Sequence, residues 1–195
     1  MPLYQDHIPS SRWPLTAQDL GLIALGFTLY WLAYEFHELL LPYVAYAQGV
    51  ELLFLPAGIK LIMILVGSWR GALGCGLAVF SLSPRFWPDL DLSWQLGYAA
   101  LSVGMTWLVV GWMLRRKALG SVLEGLSFWD VVQIDAVNTV LHGVAVNGYF
   151  WSLGLRSSEM VWPAALAMAL GDFLGTGVVM LLVLVAARFL LPATR

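Results

Sequence analysis

Charge is what this sequence lacks. Asp, Glu, Lys and Arg together supply 11% of its 195 residues, against roughly 25% in an ordinary soluble domain. A soluble chain of this size covers itself with polar side chains, and too few are present here. Cysteine is nearly absent. Cys75 stands alone, so no intramolecular disulfide can form, and no Cys-x-x-Cys pair or histidine-rich tract offers a metal centre. In its apolar, Gly-rich surroundings Cys75 reads as a small buried residue. Phosphate-binding loops, nucleotide signatures and a nucleophile at motif spacing from a base are missing too. The Gly67, Gly71, Gly74 and Gly76 series reads as close helix packing with a turn. An enzyme is therefore not expected, nucleic acid is not an expected partner, and no cofactor can be named.

What is present is hydrophobicity in long blocks. Hydrophobic residues reach 60% and the mean hydropathy is +0.79, the pattern of helices whose partner is a lipid bilayer. The expected fold is all-α: a polytopic membrane helix bundle of about six transmembrane helices. The spans run roughly Leu20–Leu41, Glu51–Ser68, Gly71–Leu82, Trp94–Leu114, Val131–Leu153 and Trp162–Leu190. The third is short for ~30 Å of hydrocarbon and either extends back through Trp69 or pairs tightly with the second. Residues 1–17 read as a cytoplasmic segment, 18–191 as one transmembrane domain and 192–195 as a short cytoplasmic tail. The first segment has no basic start, apolar core and cleavage site in signal-peptide order, so the first span is expected to be retained.

Basic residues set the expected orientation. With the N-terminus inside, Arg12, Arg70, Arg115, Arg116, Lys117, Arg188 and Arg195 face the cytoplasm, and only Arg85 and Arg156 fall outside. Both chain ends are then cytoplasmic, as expected for a multi-pass protein of a bacterial inner membrane. Trp94, Trp112, Trp129, Trp151 and Trp162 lie toward span ends, where interfacial anchors belong. The segment Arg115–Asp130 reads as a cytoplasmic connection with a short amphipathic stretch.

Ionisable groups at membrane depth are costly and mark functional sites by default. The fifth span carries Asp135, Asn138, Thr139 and His142 within about 100° of arc, extended outward by Tyr149. Such a stripe faces the bundle interior or a water-filled cavity, for ligand or proton handling or as polar glue between helices. Lys60 is alone in the second span, four residues after Pro56, and needs an anion. Asp172, Glu35 and Asp135 are the choices. Pro56 itself frees the carbonyl of Leu52 and allows the backbone to bend there. Asp172 sits on a small-residue face with Ala165, Ala169, Gly175 and Thr176, which admits a neighbouring helix. Glu35 and Glu38 end the first span near Glu51, as solvated carboxylates or as an acidic mouth for cations. The ligand or proton-handling candidates are thus Lys60, Asp135, Asn138, His142, Asp172 and Glu35, with no metal set among them.

Two stretches carry a resemblance. Leu53-Phe54-Leu55-Pro56-Ala57-Gly58-Ile59, followed by an apolar run and Gly67-Ser68-Trp69-Arg70-Gly71, is similar to the opening helix and turn of the first class of the MASE family of membrane-associated sensor domains. Gly171-Asp172-Phe173-Leu174-Gly175 resembles that family's late Gly-Asp-x-x-Gly element. Together they cover about a quarter of the chain. Domains of this family usually have about eight spans and precede a diguanylate cyclase or histidine kinase domain. This chain has about six spans, no output domain, and Lys60 in a run that is normally apolar. The resemblance implies a stand-alone sensory or ligand-binding module acting through a separate signalling partner, membrane-bound or cytoplasmic. The competing expectations are a small transporter or substrate-binding subunit of a multi-subunit importer, and a structural subunit of a larger complex.

Overall fold

Helix starts follow the capping chemistry of the chain. In the computed structural model, which describes residues 15–117, 123 and 125–190, Thr16 caps α1 (Ala17–Glu38) in a reciprocal box with Asp19. Ser127 and Asp130 do the same for α6 (Phe128–Ser152). In each case a hydroxyl and a carboxylate satisfy amide hydrogens that the first turn leaves unpaired. The other elements are a short α2 (Leu41–Val44), strands β1 (Ala45–Ala47) and β2 (Val50–Glu51), α3 (Leu55–Gly67), α4 (Trp69–Phe86), α5 (Leu92–Arg116) and α7 (Ser158–Leu190). The fold is all-helical apart from the two-stranded hairpin. The segment before residue 15 with Arg12, the 192–195 tail with Arg195, and most of the 118–124 connection lie outside the described residues.

Two of the described helices, Leu92–Arg116 and Ser158–Phe189, are long and apolar enough to cross a membrane. Short connections make sequential long helices antiparallel neighbours. The shortest is Ser68 alone, which turns α3 into α4 with a positive φ of 50°; that backbone is strained for a residue with a Cβ. Long helices α1, α3 and α4 pack on one another, α5 and α6 follow, and α7 closes against α3 and α6. The main core joins Tyr30, Leu61, Ile64, Cys75, Leu82, Val103 and Ile134. A second, around Val50, Trp87, Val146 and Phe150, lies under the hairpin.

The second span departs from its expected form. Glu51 to Phe54 are not helical; Gly49, at φ +70°, turns the chain into a hairpin, and the helix begins at Leu55. Pro56 therefore sits in the first turn of α3, where a missing N–H costs nothing. It does not break a helix at Leu52, as expected from the sequence.

The extended segment after the hairpin lies in a groove on α7. Gly171 and Gly175 are one turn apart, and a Cβ on either would collide with the backbone carbonyl of Glu51 or of Phe54. Only glycine admits a strand this close. Phe54 N–H then donates to Gly171 O at 3.0 Å, and Leu52 N–H to Val44 O at 2.7 Å. Gly58 of α3 presses on Thr176 and Val179 of α7 by the same logic. The Leu-Pro-Ala-Gly and Gly-Asp-Phe-Leu-Gly stretches, more than a hundred residues apart in the chain, thus pack on each other.

Candidate functional site

The contact between those two stretches decides where the ionisable residues meet. Lys60 is one turn beyond Pro56 on α3, Asp172 follows Gly171 on α7, His142 is midway along α6, and Ser102 is midway along α5. All four are buried: 1%, 2%, 4% and 3% exposed, respectively. His142 is the hub. Its Nδ1 meets Asp172 Oδ2 at 2.7 Å, and its Nε2 meets Ser102 Oγ at 3.0 Å and Lys60 Nζ at 3.2 Å. Lys60 Nζ also reaches the carbonyl oxygen and hydroxyl of Ser102, both at 3.5 Å.

With the carboxylate of Asp172 on Nδ1, that nitrogen carries the ring proton and Nε2 is left as an acceptor. Ser102 Oγ and Lys60 Nζ both lie within hydrogen-bonding distance of Nε2, which has a single lone pair to offer. Lys60 therefore finds its contacts on an imidazole and a serine. Among the described residues no carboxylate lies within ion-pair distance of it. Asp172 and Asp135 are near enough only for their fields to act on it. Of its three expected partners, Glu35 is elsewhere altogether, paired with Arg85 Nη1 at 2.5 Å.

The remaining stripe residues are also internal. Asp135 accepts from Thr176 Oγ1 at 3.3 Å, Thr139 donates back to the Ala136 carbonyl, and Asn138 keeps a buried Oδ1 with no partner among the described residues. Tyr149, at the outer end of the same helix, donates to the Trp94 carbonyl at 2.9 Å. Five of the six candidates thus lie buried in the interior, three of them in one hydrogen-bonded cluster, and Glu35 lies at the rim. His37 is a separate case. It is 1% exposed, packed edge-on against Phe54 at 5.1 Å, and neither ring nitrogen has a hydrogen-bond partner among the described residues.

A narrow cavity of about 20 Å³ opens onto the cluster, room for roughly one water. Ser102, His142 and Asp172 form its floor, Glu51 and Gly49 of the hairpin its side, and Trp87 and Tyr98 part of its wall. No group of three or more His, Cys, Asp or Glu among the described residues is placed to hold a metal ion.

Ser102 was not among the sequence candidates, although a signal existed. Gln95, Ser102 and Thr106 are spaced by seven and four on α5 and are all buried, a helical polar stripe like that of α6 but built from uncharged residues. The hairpin was missed because Val50-Glu51-Leu52-Leu53-Phe54-Leu55 reads as an apolar helix start; only Gln48-Gly49 before it marks a turn.

Outside the bundle interior, the charged pairs are ordinary. Asp19 bonds Thr16 and Arg70, and Asp130 meets Lys117 Nζ at 2.6 Å as well as Ser127. The Thr16 hydroxyl, then the Thr16 amide and Arg70, hold the Asp19 carboxyl below the usual carboxylate range. Lys117 first, then the Ser127 hydroxyl and amide, do the same more strongly for Asp130. Compared with known protein families, with curated proteins and with solved structures, the chain matches none.

Proposed function

We propose that this chain is a multi-pass sensory module of a bacterial inner membrane, with both termini cytoplasmic, which binds a small ligand in its interior and signals through a separate partner. In this reading α1, α4, α5, α6 and α7 each cross once. The sixth crossing is α3 completed by the extended segment Glu51–Phe54. At 1.5 Å per residue the 13 residues of α3 reach about 20 Å, and four extended residues add about 13 Å. Non-helical backbone at membrane depth is tolerated where protein covers it, as α7 covers this segment.

The lipid-facing surface supports the assignment. Leu25, Leu32, Val66, Leu77, Leu108 and Leu182 are exposed on five helices, and the five tryptophans expected at span ends, Trp94, Trp112, Trp129, Trp151 and Trp162, are exposed as well. Arg70 and Lys117 lie at helix ends that the antiparallel order brings to one side, while Arg85 lies at the opposite side. The bias of basic residues toward the first side favours that side as cytoplasmic.

The observation that carries the functional reading is the convergence of Lys60, Ser102, His142 and Asp172, from four helices, under a cavity walled by the hairpin. Polar and ionisable groups gathered in an apolar bundle are costly to bury, which supports reading them as a site, and the resemblance to sensor domains supplies its class. Native mass spectrometry of the chain extracted gently from its own membranes tests the proposal. A co-purifying kinase or cyclase, or a bound small molecule lost in Lys60→Ala, is the expected result. A co-purifying coupling ATPase, with vesicle uptake of a solute abolished by His142→Ala, would replace sensing with transport.

A further inference from the structure

Three glycines fall within seven residues of α7, and packing accounts for two of them. Gly171 and Gly175 admit the backbone of Glu51 and Phe54, whereas a Cβ on Gly177 would meet nothing within 4 Å. Glycine is a poor helix former, so a helix built for packing alone would carry a larger residue at 177. The space it leaves belongs to a cleft of about 270 Å³ between α6 and α7. At the roughly 30 Å³ that a water takes in the liquid, this is room for about nine non-hydrogen atoms.

The cleft is apolar along its length and polar at its depth. Phe128, Phe173, Met180 and Leu181 are among its walls, and Phe128 and Leu181 are 53% and 61% exposed on the surface of the bundle. Asp135 and Thr176 line it too, buried at 2% and 1% exposure. Asp135 stands two turns from Phe128, about 10 Å along α6. Its Oδ1 accepts from Thr176 Oγ1 at 3.3 Å, and its Oδ2 has no hydrogen-bond partner among the described residues. A carboxylate offers about four acceptor positions, and burying one with a single neutral donor is costly. The charge around it has one sign in excess. Apart from Asp19, which Arg70 pairs, the buried carboxyls are Glu51, Asp135 and Asp172, and Lys60 is the one buried ammonium among the described residues.

We propose that this cleft binds a small amphiphilic amine, its ammonium group donating to Asp135 Oδ2 and its apolar body lying along Gly177 toward Phe128 and Leu181. A positive head complements the excess of acid, and the open side of the cleft admits the body from lipid in the multi-pass reading. Two turns of α6 separate Asp135 from His142, and Asp135 does not line the one-water cavity above that histidine. This is therefore a second site. It goes beyond the sensory reading, and its occupancy is measured on the chain without a signalling partner, so the two fail separately.

The test uses the full chain in lipid nanodiscs and radiolabelled 2-phenylethylamine, in equilibrium dialysis with empty nanodiscs as the blank. Saturable binding at one molecule per chain is expected. 2-Phenylethanol, which has the same shape without the charge, should displace it on the order of tenfold less well than unlabelled amine, and Asp135→Asn should weaken binding by about tenfold or more. Gly177→Leu fills the cleft from a position where a side chain has room, and should abolish binding while leaving the melting temperature unchanged. Uptake no greater than that of empty nanodiscs would mean that acyl chains alone fill the cleft. That result, equal displacement by the alcohol, or wild-type binding in either folded variant would each overturn the proposal. Should Asp135→Asn fail to fold, Gly177→Leu and the alcohol comparison decide.

Discussion

The charges at the ends of the helices and those in the middle obey different rules. At the ends, Asp19 meets Arg70, Glu35 meets Arg85 and Asp130 meets Lys117: each of these three cations has a carboxylate, and most of these side chains keep between a fifth and a half of their surface in solvent. Such pairs contribute little to stability, and two of them double as helix caps. In the middle, Lys60 has no carboxylate within reach, Asp172 is bound to a histidine, and Asp135 leans on a threonine hydroxyl. Interior groups lose their hydration and recover it only through fixed dipoles. A chain selected for stability alone would place apolar side chains at Lys60 and Asp172. The imidazole between them is the part that stability does not explain.

Three measurements would break or sharpen that contrast. The largest effect is expected from Asp172→Ala, which strips the partner from His142 and the nearest compensating field from Lys60. It should cost about 3–5 kcal/mol in detergent unfolding, against less than about 1 kcal/mol for Arg85→Ala at the rim. Equal losses would mean that interior and rim do not differ. Lys60→Met comes next. Lys60 has no ion-pair partner among the described residues, so an apolar chain of similar length removes an uncompensated buried charge, and this variant should melt no lower than wild type. A fall in melting temperature would make Lys60 structural. The smallest effect concerns acid. The Asp19 and Asp130 carboxyls are held below their unfolded range of about 4, so their contribution is present above that pH and is lost as pH falls through their lowered folded values. Amide protection at the first turns of α1 and α6, relative to intrinsic exchange at the same pH, should therefore fall below about pH 4, well before the interior helices respond.

The sequence made the helices and their order legible, because long apolar blocks have few other uses, and the edges of most fell within a few residues of prediction. It also made the polar stripe of α6 legible, since charged residues inside an apolar block stand out. Two kinds of feature stayed out of reach. The strand in the groove depends on Gly171 and Gly175 accepting backbone from Glu51 and Phe54, a contact across more than a hundred residues that no local period encodes. Ser102 was overlooked because a lone hydroxyl among Leu101, Val103 and Gly104 is cheap to bury and usually satisfied by its own helix. Its partner is what distinguishes it, and the partner is forty residues away. The choice of counter-ion for Lys60 was posed among carboxylates alone, and the answer was a neutral ring.

The bond from Phe54 to Gly171 also has a mechanical meaning. It ties the hairpin to the middle of the longest helix through main-chain atoms, with no side chain between them to flex. Whatever shifts the hairpin takes Gly171 along. From Gly171 to Leu190 the helix runs 19 residues further, about 28 Å at 1.5 Å each. The cavity side and the far end of α7 are thereby joined along one unbroken stretch of main chain.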